Sequence, residues 1–232
     1  MYIAILEDEV TLAEEVKACL EQNGHTVKIY GDGATMLKNV RRDTFDLFVL
    51  DWKVPKKNGY EVLKELRGNL GLQEPVIFLT STDTETSIVS AFAAGADDYC
   101  IKPVRLNEFM ARITALERRT QKSIVVPQES ISVAGFTFNS DIQTVSFNDT
   151  SIVLNEKEFK LSKFLFNNLD RALSRNRILM EIWGKNNDEL SRTLDVHVAW
   201  IRKKLSLGSQ NPSLRLTAIY GYGYRLMQVF TE

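Results

Sequence analysis

Over its first hundred or so residues the chain repeats one alternation. Short apolar runs at Tyr2 to Leu6, Thr26 to Tyr30, Leu47 to Leu50, Val76 to Leu79 and Asp98 to Ile101 each have the length of a buried strand. Between them lie segments with helical spacing. Leu12, Val16, Cys19 and Leu20 share one face, Val62, Leu63 and Leu66 another, and Leu106, Phe109, Met110, Ile113 and Leu116 the last. Strand alternating with helix five times predicts a parallel sheet covered by helices on both faces.

After Arg119 the pattern breaks. Thr120 to Ser130 contains Pro127, several polar residues and no helical period, which marks a linker at 120–130 between domains at 1–119 and 131–232. From Ile131 apolar positions alternate, with Phe136 and Phe138, Val145 and Phe147, and Ile152 and Leu154 separated by Asn-Ser-Asp and Asn-Asp-Thr turns, so a small antiparallel meander is expected. Asn155, with Glu158 three residues on, is a capping box that opens a helix carrying Phe159, Phe164, Leu165 and Leu169. Two more helices are expected near Arg175 to Trp183 and Ser191 to Ser206, before a Gly-rich aromatic hairpin from Leu214 to Val229.

Composition adds exclusions. With 44% hydrophobic and 25% charged residues the chain reads as globular, neither disordered nor collagenous. It has no run of about 18 apolar residues, so no membrane span or membrane partner is expected, and a start without basic and apolar leader segments points to the cytoplasm. Cys19 and Cys100 are too few and too far apart for a disulfide framework and read as reduced core thiols. The net charge of -1 hides an asymmetry: residues 1–121 hold 15 basic and 19 acidic side chains, net -4, and the remainder 14 and 11, net +3. The basic half includes the Lys/Arg-bearing segment Arg192 to Lys204, whose charge suits nucleic acid.

In an open parallel sheet, ligands bind beyond the carboxyl ends of the strands. Glu7, Asp8 and Glu9 follow the first strand, Asp51 the third, Thr80 and Ser81 the fourth, and Lys102-Pro103 the fifth. Carboxylates gathered there repel one another unless a cation joins them, and a hard divalent ion, Mg first among them, answers that need. A carboxylate beside a metal, a hydroxyl and a lysine is equipped to attack phosphorus and hold the product, so the chemistry expected is phosphoryl transfer to Asp51.

The set Glu7-Asp8, Asp51 with Pro55 and Gly59 behind it, Thr80, and Lys102-Pro103 resembles the receiver domain of two-component response regulators, over residues 1 to about 119. The resemblance implies a five-stranded, doubly wound α/β domain of the flavodoxin/CheY-like kind, whose Asp51 takes a phosphoryl group from a cognate sensor histidine kinase. It implies that Glu7, Asp8, Asp51 and the backbone carbonyl of Lys53 hold Mg, that Thr80 bonds a phosphoryl oxygen, that Lys102 neutralises it, and that Tyr99 is the switch aromatic. Such a receiver is no enzyme beyond its own phosphorylation and slow dephosphorylation.

The second half is similar to the α+β winged-helix effector of the OmpR/PhoB subfamily. The match is carried by Leu154-Asn155-Glu156-Lys157-Glu158-Phe159, Trp183-Gly184, Arg192-Thr193-Leu194-Asp195-Val196-His197-Val198, Arg202-Lys203-Lys204-Leu205 and Gly221-Tyr222-Gly223-Tyr224-Arg225. It implies promoter DNA and RNA polymerase as partners and transcription regulation as the task. The residues agree: Leu194, Val198, Ile201 and Leu205 form a core stripe, leaving Arg192, Val196, His197, Ala199, Trp200, Arg202 and Lys203 for DNA, with Tyr220 on the hairpin. Where relatives commonly carry arginines, this chain has Ala199, Trp200 and Tyr220. Trp200 either reads bases or packs over the hairpin, and the sequence leaves both open.

The resemblance also implies a homodimer on phosphorylation, through the fourth helix, fifth strand and fifth helix. Val89, Phe92 and Met110 would supply its apolar centre, and Asp97, Asp98, Glu108, Arg112 and Arg119 its charges. Ile88 replaces the usual basic partner of Glu108. Two other classes compete with this reading. A phosphohydrolase on such a sheet needs a second acid near the nucleophile, where Lys53 stands; a constitutive DNA binder would not need the complete acid, hydroxyl and lysine set.

Overall fold

The protein is described from a computed structural model covering residues 1–81, 85–121, 130–148, 150–184, 188–208 and 213–229, with side chains described except at 85–88, 119–121, 130, 131, 133 and 188–191. It divides into two units, Met1–Val125 and Val126–Glu232.

In the first unit, strands β1 (Tyr2–Leu6), β2 (Thr26–Tyr30), β3 (Leu47–Asp51), β4 (Val76–Thr80) and β5 (Asp98–Ile101) alternate with helices α1 (Val10–Gln22), α2 (Gly33–Val40), α3 (Gly59–Arg67), α4 (Glu85–Ala93) and α5 (Leu106–Gln121). The strands form one parallel sheet in the order β2-β1-β3-β4-β5. The continuous apolar runs are explained by helices on both faces. Ala4, Leu6, Phe48, Leu50 and Phe78 pack into one cluster with Met36, Val62 and Leu63, while Ile3, Ile5, Val49, Ile77 and Leu79 pack into the other with Val16, Phe109 and Ile113. On α1 the buried stripe is Ala13, Val16 and Leu20. Cys19 is half-buried, contrary to its expected place in the core, because it lies at the margin of that stripe, whereas Cys100 on β5 is buried.

The second unit opens with an antiparallel sheet of β6 (Ser130–Val133), β7 (Phe136–Asn139), β8 (Thr144–Phe147) and β9 (Thr150–Val153). Helices α6 (Glu156–Asn167), α7 (Arg175–Trp183) and α8 (Asp188–Lys204) follow, with the two-residue strand β10 (Leu173–Ser174) between the first two, and the hairpin of β11 (Leu214–Ile219) and β12 (Gly223–Gln228) closes the unit. Asn155 and Glu158 form the capping box that starts α6. One core joins the elements from β7 onward: Phe136, Phe138 and Val145 cluster with Phe159, Leu165 and Phe166 and with Ile178, Val198, Ile201 and Leu226. The strand β10 was not visible in the sequence. It pairs with β12 so closely that a Cβ on Gly223 would lie 2.1 Å from the Leu173 carbonyl oxygen. Among the described residues, no helix is long and apolar enough to cross a membrane.

Candidate functional site

The sheet reverses its order of addition between β1 and β3, and in an open parallel sheet the loops leaving two such strands diverge to make a crevice. Glu7 and Asp8 follow β1 and Asp51 ends β3, so one carboxylate oxygen from each of the three lies within 4.8 Å of the others; Glu7 and Asp51 are buried and Asp8 is exposed. Asp51 pairs in register with Leu79, which puts buried Thr80 one residue further out on the neighbouring strand. Lys102 follows β5. Its backbone N–H donates to the Thr80 carbonyl at 2.8 Å, and its Nζ lies 2.9 Å from Asp51 Oδ2 and 2.8 Å from Glu7 Oε2. The Lys102–Pro103 peptide is cis. The Lys53 backbone N–H donates to Asp51 Oδ1 at 3.2 Å, so both oxygens of that carboxylate have a partner. The start of α3 fits against the same strand end: a Cβ on Gly59 would stand 2.1 Å from the Asp51 carbonyl oxygen, so only glycine lets the helix begin there.

Burial pushes the Glu7 carboxyl above its ordinary range, opposed by the hydrogen bond from Lys102 and reinforced by the charge of Asp51. Burial works against the Lys102 ammonium, but its bonds to Glu7 and Asp51 prevail and hold its pKa above the ordinary value. Three carboxylates facing one ammonium leave a surplus of two negative charges. That surplus and an all-oxygen donor set fit a hard divalent cation such as Mg.

Tyr99 on β5 pairs in register with Phe78, is half-buried, and meets the α4 residue Phe92 edge-on at 5.9 Å between ring centroids. From there the face formed by α4, β5 and α5 begins. Val89, Phe92, Ile101 and Leu106 are its exposed apolar residues, the last two not anticipated from sequence; Met110 is half-buried against the inner cluster instead. Arg112 is held inside its own chain, with NH1 2.9 Å from Asp98 Oδ1 and NH2 2.7 Å from Glu108 Oε1. Asp97 is likewise engaged within the fold: its Oδ2 accepts from Arg67 NH2 at 3.0 Å and from the Val76 backbone at 2.9 Å. Arg67 also donates to the carbonyls of Gly95, Leu72 and Glu74. The side chains of Ile88 and Arg119 lie outside the described residues.

In the second unit α8 buries Leu194, Val198 and Ile201, and Leu205, just past its last residue, is buried with them. Arg192, Val196, Ala199, Trp200 and Lys203 are exposed on its outward faces, and Tyr220 stands fully exposed at the tip of the hairpin. His197 and Arg202 are less free than the sequence suggests. His197 is half-buried, with Nδ1 2.8 Å from the Thr193 carbonyl and its ring edge-on to Trp183, while Arg202 donates from Nε to the Leu216 carbonyl at 3.0 Å. Trp200 borders a recess of about 410 Å³ that it shares with Asn155, Glu158, Val196, His197 and Lys204. Beneath it the Lys204 ammonium lies 2.6 Å from Glu158 Oε2.

One cluster went unnoticed in the sequence. Asp195 accepts from the Tyr224 hydroxyl at 2.5 Å and pairs with Arg175 NH2 at 2.7 Å, while the Arg175 guanidinium lies over the Tyr224 ring. α8 is thereby tied to both α7 and β12. Asp195 and Tyr224 stand in stretches that carry the family resemblance, but nothing in their spacing pairs them with each other or with Arg175.

Comparison with known proteins agrees with both halves. Residues 3–114 match the family model of the response regulator receiver domain, and residues 149–226 that of the C-terminal domain of transcriptional regulatory proteins. The chain is 35% identical, over 97% of its length and 90% of the relative's, to the alkaline phosphatase synthesis transcriptional regulatory protein SphR of Synechococcus elongatus. It is 34% identical, over 98% of its length and 99% of the relative's, to the response regulator MprA of Mycobacterium leprae. Among solved structures, a two-component response regulator from Clostridium difficile is similar over 52% of this chain and 98% of that one, at 25% identity and a TM-score of 0.50.

Proposed function

Because the chain belongs to the two-component response regulators with an OmpR/PhoB-type DNA-binding domain, we propose that Asp51 is its phosphoacceptor and that the phosphoryl group governs binding to promoter DNA. The observation that carries this reading is the Lys102 ammonium set against both Asp51 and Glu7 at the crevice, with Thr80 on the adjoining strand end.

In the transfer a carboxylate oxygen of Asp51 attacks the phosphorus of a phosphohistidine on the sensor kinase. The new O–P bond forms as the P–N bond breaks, and its electron pair returns to the imidazole nitrogen. Lys102, already in contact with Asp51, offsets the negative charge of the product phosphoryl group, and the Thr80 hydroxyl bonds one of its oxygens. Glu7, Asp8, Asp51 and the backbone carbonyl of Lys53 would hold Mg, which would supply positive charge against the carboxylate repulsion and the incoming phosphoryl oxygens. Attack by water on the phosphorus later breaks the Asp51 O–P bond, releasing inorganic phosphate and returning the free carboxylate, and the receiver catalyses only its own phosphorylation and slow dephosphorylation.

Drawing Thr80 toward the phosphoryl group frees space into which Tyr99 turns, and Tyr99 touches Phe92 on the face formed by α4, β5 and α5. Two copies then associate through that face, with Val89, Phe92, Ile101 and Leu106 as its apolar centre. The paired effector domains bind promoter DNA, with α8 in the major groove, and present themselves to RNA polymerase in the cytoplasm. Incubation with acetyl phosphate and Mg, followed by mass spectrometry of the peptides, tests the first step. One phosphoryl group on the peptide carrying Asp51, absent from Asp51→Asn, is expected; undiminished labelling of that variant refutes the assignment.

A further inference from the structure

Resting on the reading of α8 as the DNA-facing helix, we propose that Val196, Ala199 and Trp200 recognise thymine through its C5-methyl group, so that the sites this protein prefers are specified by thymines in the major groove. Val196 and Trp200 are 53% and 51% exposed, Ala199 is exposed, and spacings of three and four residues make the three one contiguous apolar patch on the outward face of a helix whose inner face is core. Exposed Arg192 and Lys203 bracket the patch. They lie eleven residues apart, about 16 Å along a helix, against a major groove about 12 Å wide, so the two cations reach the phosphates of opposite walls while the apolar stretch between them faces the base edges.

What that stretch can read follows from what the bases present. Guanine, adenine and cytosine offer acceptors and amino donors in the major groove; thymine alone adds an apolar group. Val196 and Ala199 carry no side-chain donor or acceptor, and Trp200 has a single N–H. A polar edge pressed against them loses its water without replacement, whereas a methyl group gains by leaving water. His197 cannot readily correct this, since its Nδ1 is engaged by the Thr193 carbonyl and its ring meets Trp183. The Trp200 ring borders the recess over Lys204 and Glu158, on the α6 side of the helix, and is half-exposed there. The net charge of +3 on residues 122–232 favours a polyanion over an apolar protein surface as the occupant of this face.

The test uses the full chain. A preferred duplex is first selected from random sequence, and its thymines are then replaced one at a time by deoxyuridine, which keeps every hydrogen-bonding edge and removes only the methyl group. Affinity is expected to fall about fourfold at each thymine under the patch, the worth of one buried methyl-sized group, and roughly tenfold or more when two are replaced. Trp200→Ala and Val196→Ala, both at exposed positions, should each lose discrimination between thymine and uracil at one of those places and keep it at the others. Equal affinity for thymine and uracil at every position, in a protein that still prefers the selected site, overturns the inference and leaves the proposed function standing. Absence of any sequence preference refutes the DNA-reading role of α8, and this inference with it.

Discussion

Tyr224→Phe removes one oxygen from the cluster that joins α8 to the hairpin, and its consequence can be worked from the geometry. Tyr224 is 7% exposed and its hydroxyl donates to the Asp195 carboxylate at 2.5 Å. Hydrogen bonds to charged groups contribute about 1.5 to 3 kcal/mol. Two features favour the lower end. Asp195 is 51% exposed, so water competes for it, and Arg175 remains 2.7 Å away to satisfy the carboxylate once the hydroxyl is gone. A loss of about 1.5 kcal/mol in a domain near a hundred residues lowers the melting temperature by roughly 6 to 12 °C. Calorimetry of the full chain should show that shift in one transition, that of the second unit, and none in the receiver's.

The effect should also depend on pH in a definite sense. Burial works to raise the Asp195 carboxyl, but the hydrogen bonds from Tyr224 and Arg175 prevail and its pKa lies below the ordinary 3.8. A carboxylate depressed on folding contributes stability that is present above its unfolded pKa and lost as pH falls through the folded one. The difference between wild type and Tyr224→Phe should therefore be constant at neutral pH and shrink below about 3.8. A shift under about 2 °C at pH 7, or one that grows in acid, refutes the reasoning.

Phe92→Ala should weaken the phosphorylated dimer by about 1 to 2 kcal/mol, and more than Arg112→Ala does, because Arg112 already pairs with Asp98 and Glu108 of its own chain; light scattering over a concentration series decides, and the opposite ranking sinks the idea. Arg67→Ala should destabilise the receiver by about 2 to 4 kcal/mol, since it removes at once the guanidinium's bonds to three carbonyls and to Asp97, and denaturant titration showing a loss below about 1 kcal/mol would count against it. Burial works to raise the Glu158 carboxyl, but Lys204 and the Asn155 N–H prevail and hold it below the ordinary 4.5, so its contribution is present above that value and lost as pH falls through the depressed one. The effector domain of Glu158→Gln should accordingly show a shallower loss of stability on acidification, and an unchanged acid profile would contradict this.

The strands of the receiver were legible because a buried parallel strand writes itself as an unbroken apolar run: β1, β2 and β5 coincide with the runs in the sequence. β3 and β4 each extend one residue beyond theirs, to Asp51 and Thr80. The ladder continues where the side chain turns polar, and those added residues are the ones that carry the chemistry. α8 begins at Asp188, three residues before the expected Ser191, because Asp188 and Glu189 add nothing to the apolar stripe that marks the helix. β10 is too short to show any period. The acidic crevice could be read from strand ends alone, since the topology brings those ends to one edge. The partners of Arg67, Arg175 and Arg202 could not, because Asp97, Asp195 and the Leu216 carbonyl lie 14 to 30 residues away and only the folded packing selects them.

A phosphoryl group on Asp51 is proposed to change how tightly this chain holds DNA. The direct measurement is a binding isotherm on the selected duplex for the full chain, before and after acetyl phosphate with Mg, set beside the same pair for Asp51→Asn. If phosphorylation brings two effector domains onto one site, the second engagement becomes intramolecular, and affinity should rise tenfold or more in wild type and not at all in Asp51→Asn. Equal affinity before and after phosphorylation in wild type, or an equal rise in Asp51→Asn, would contradict it.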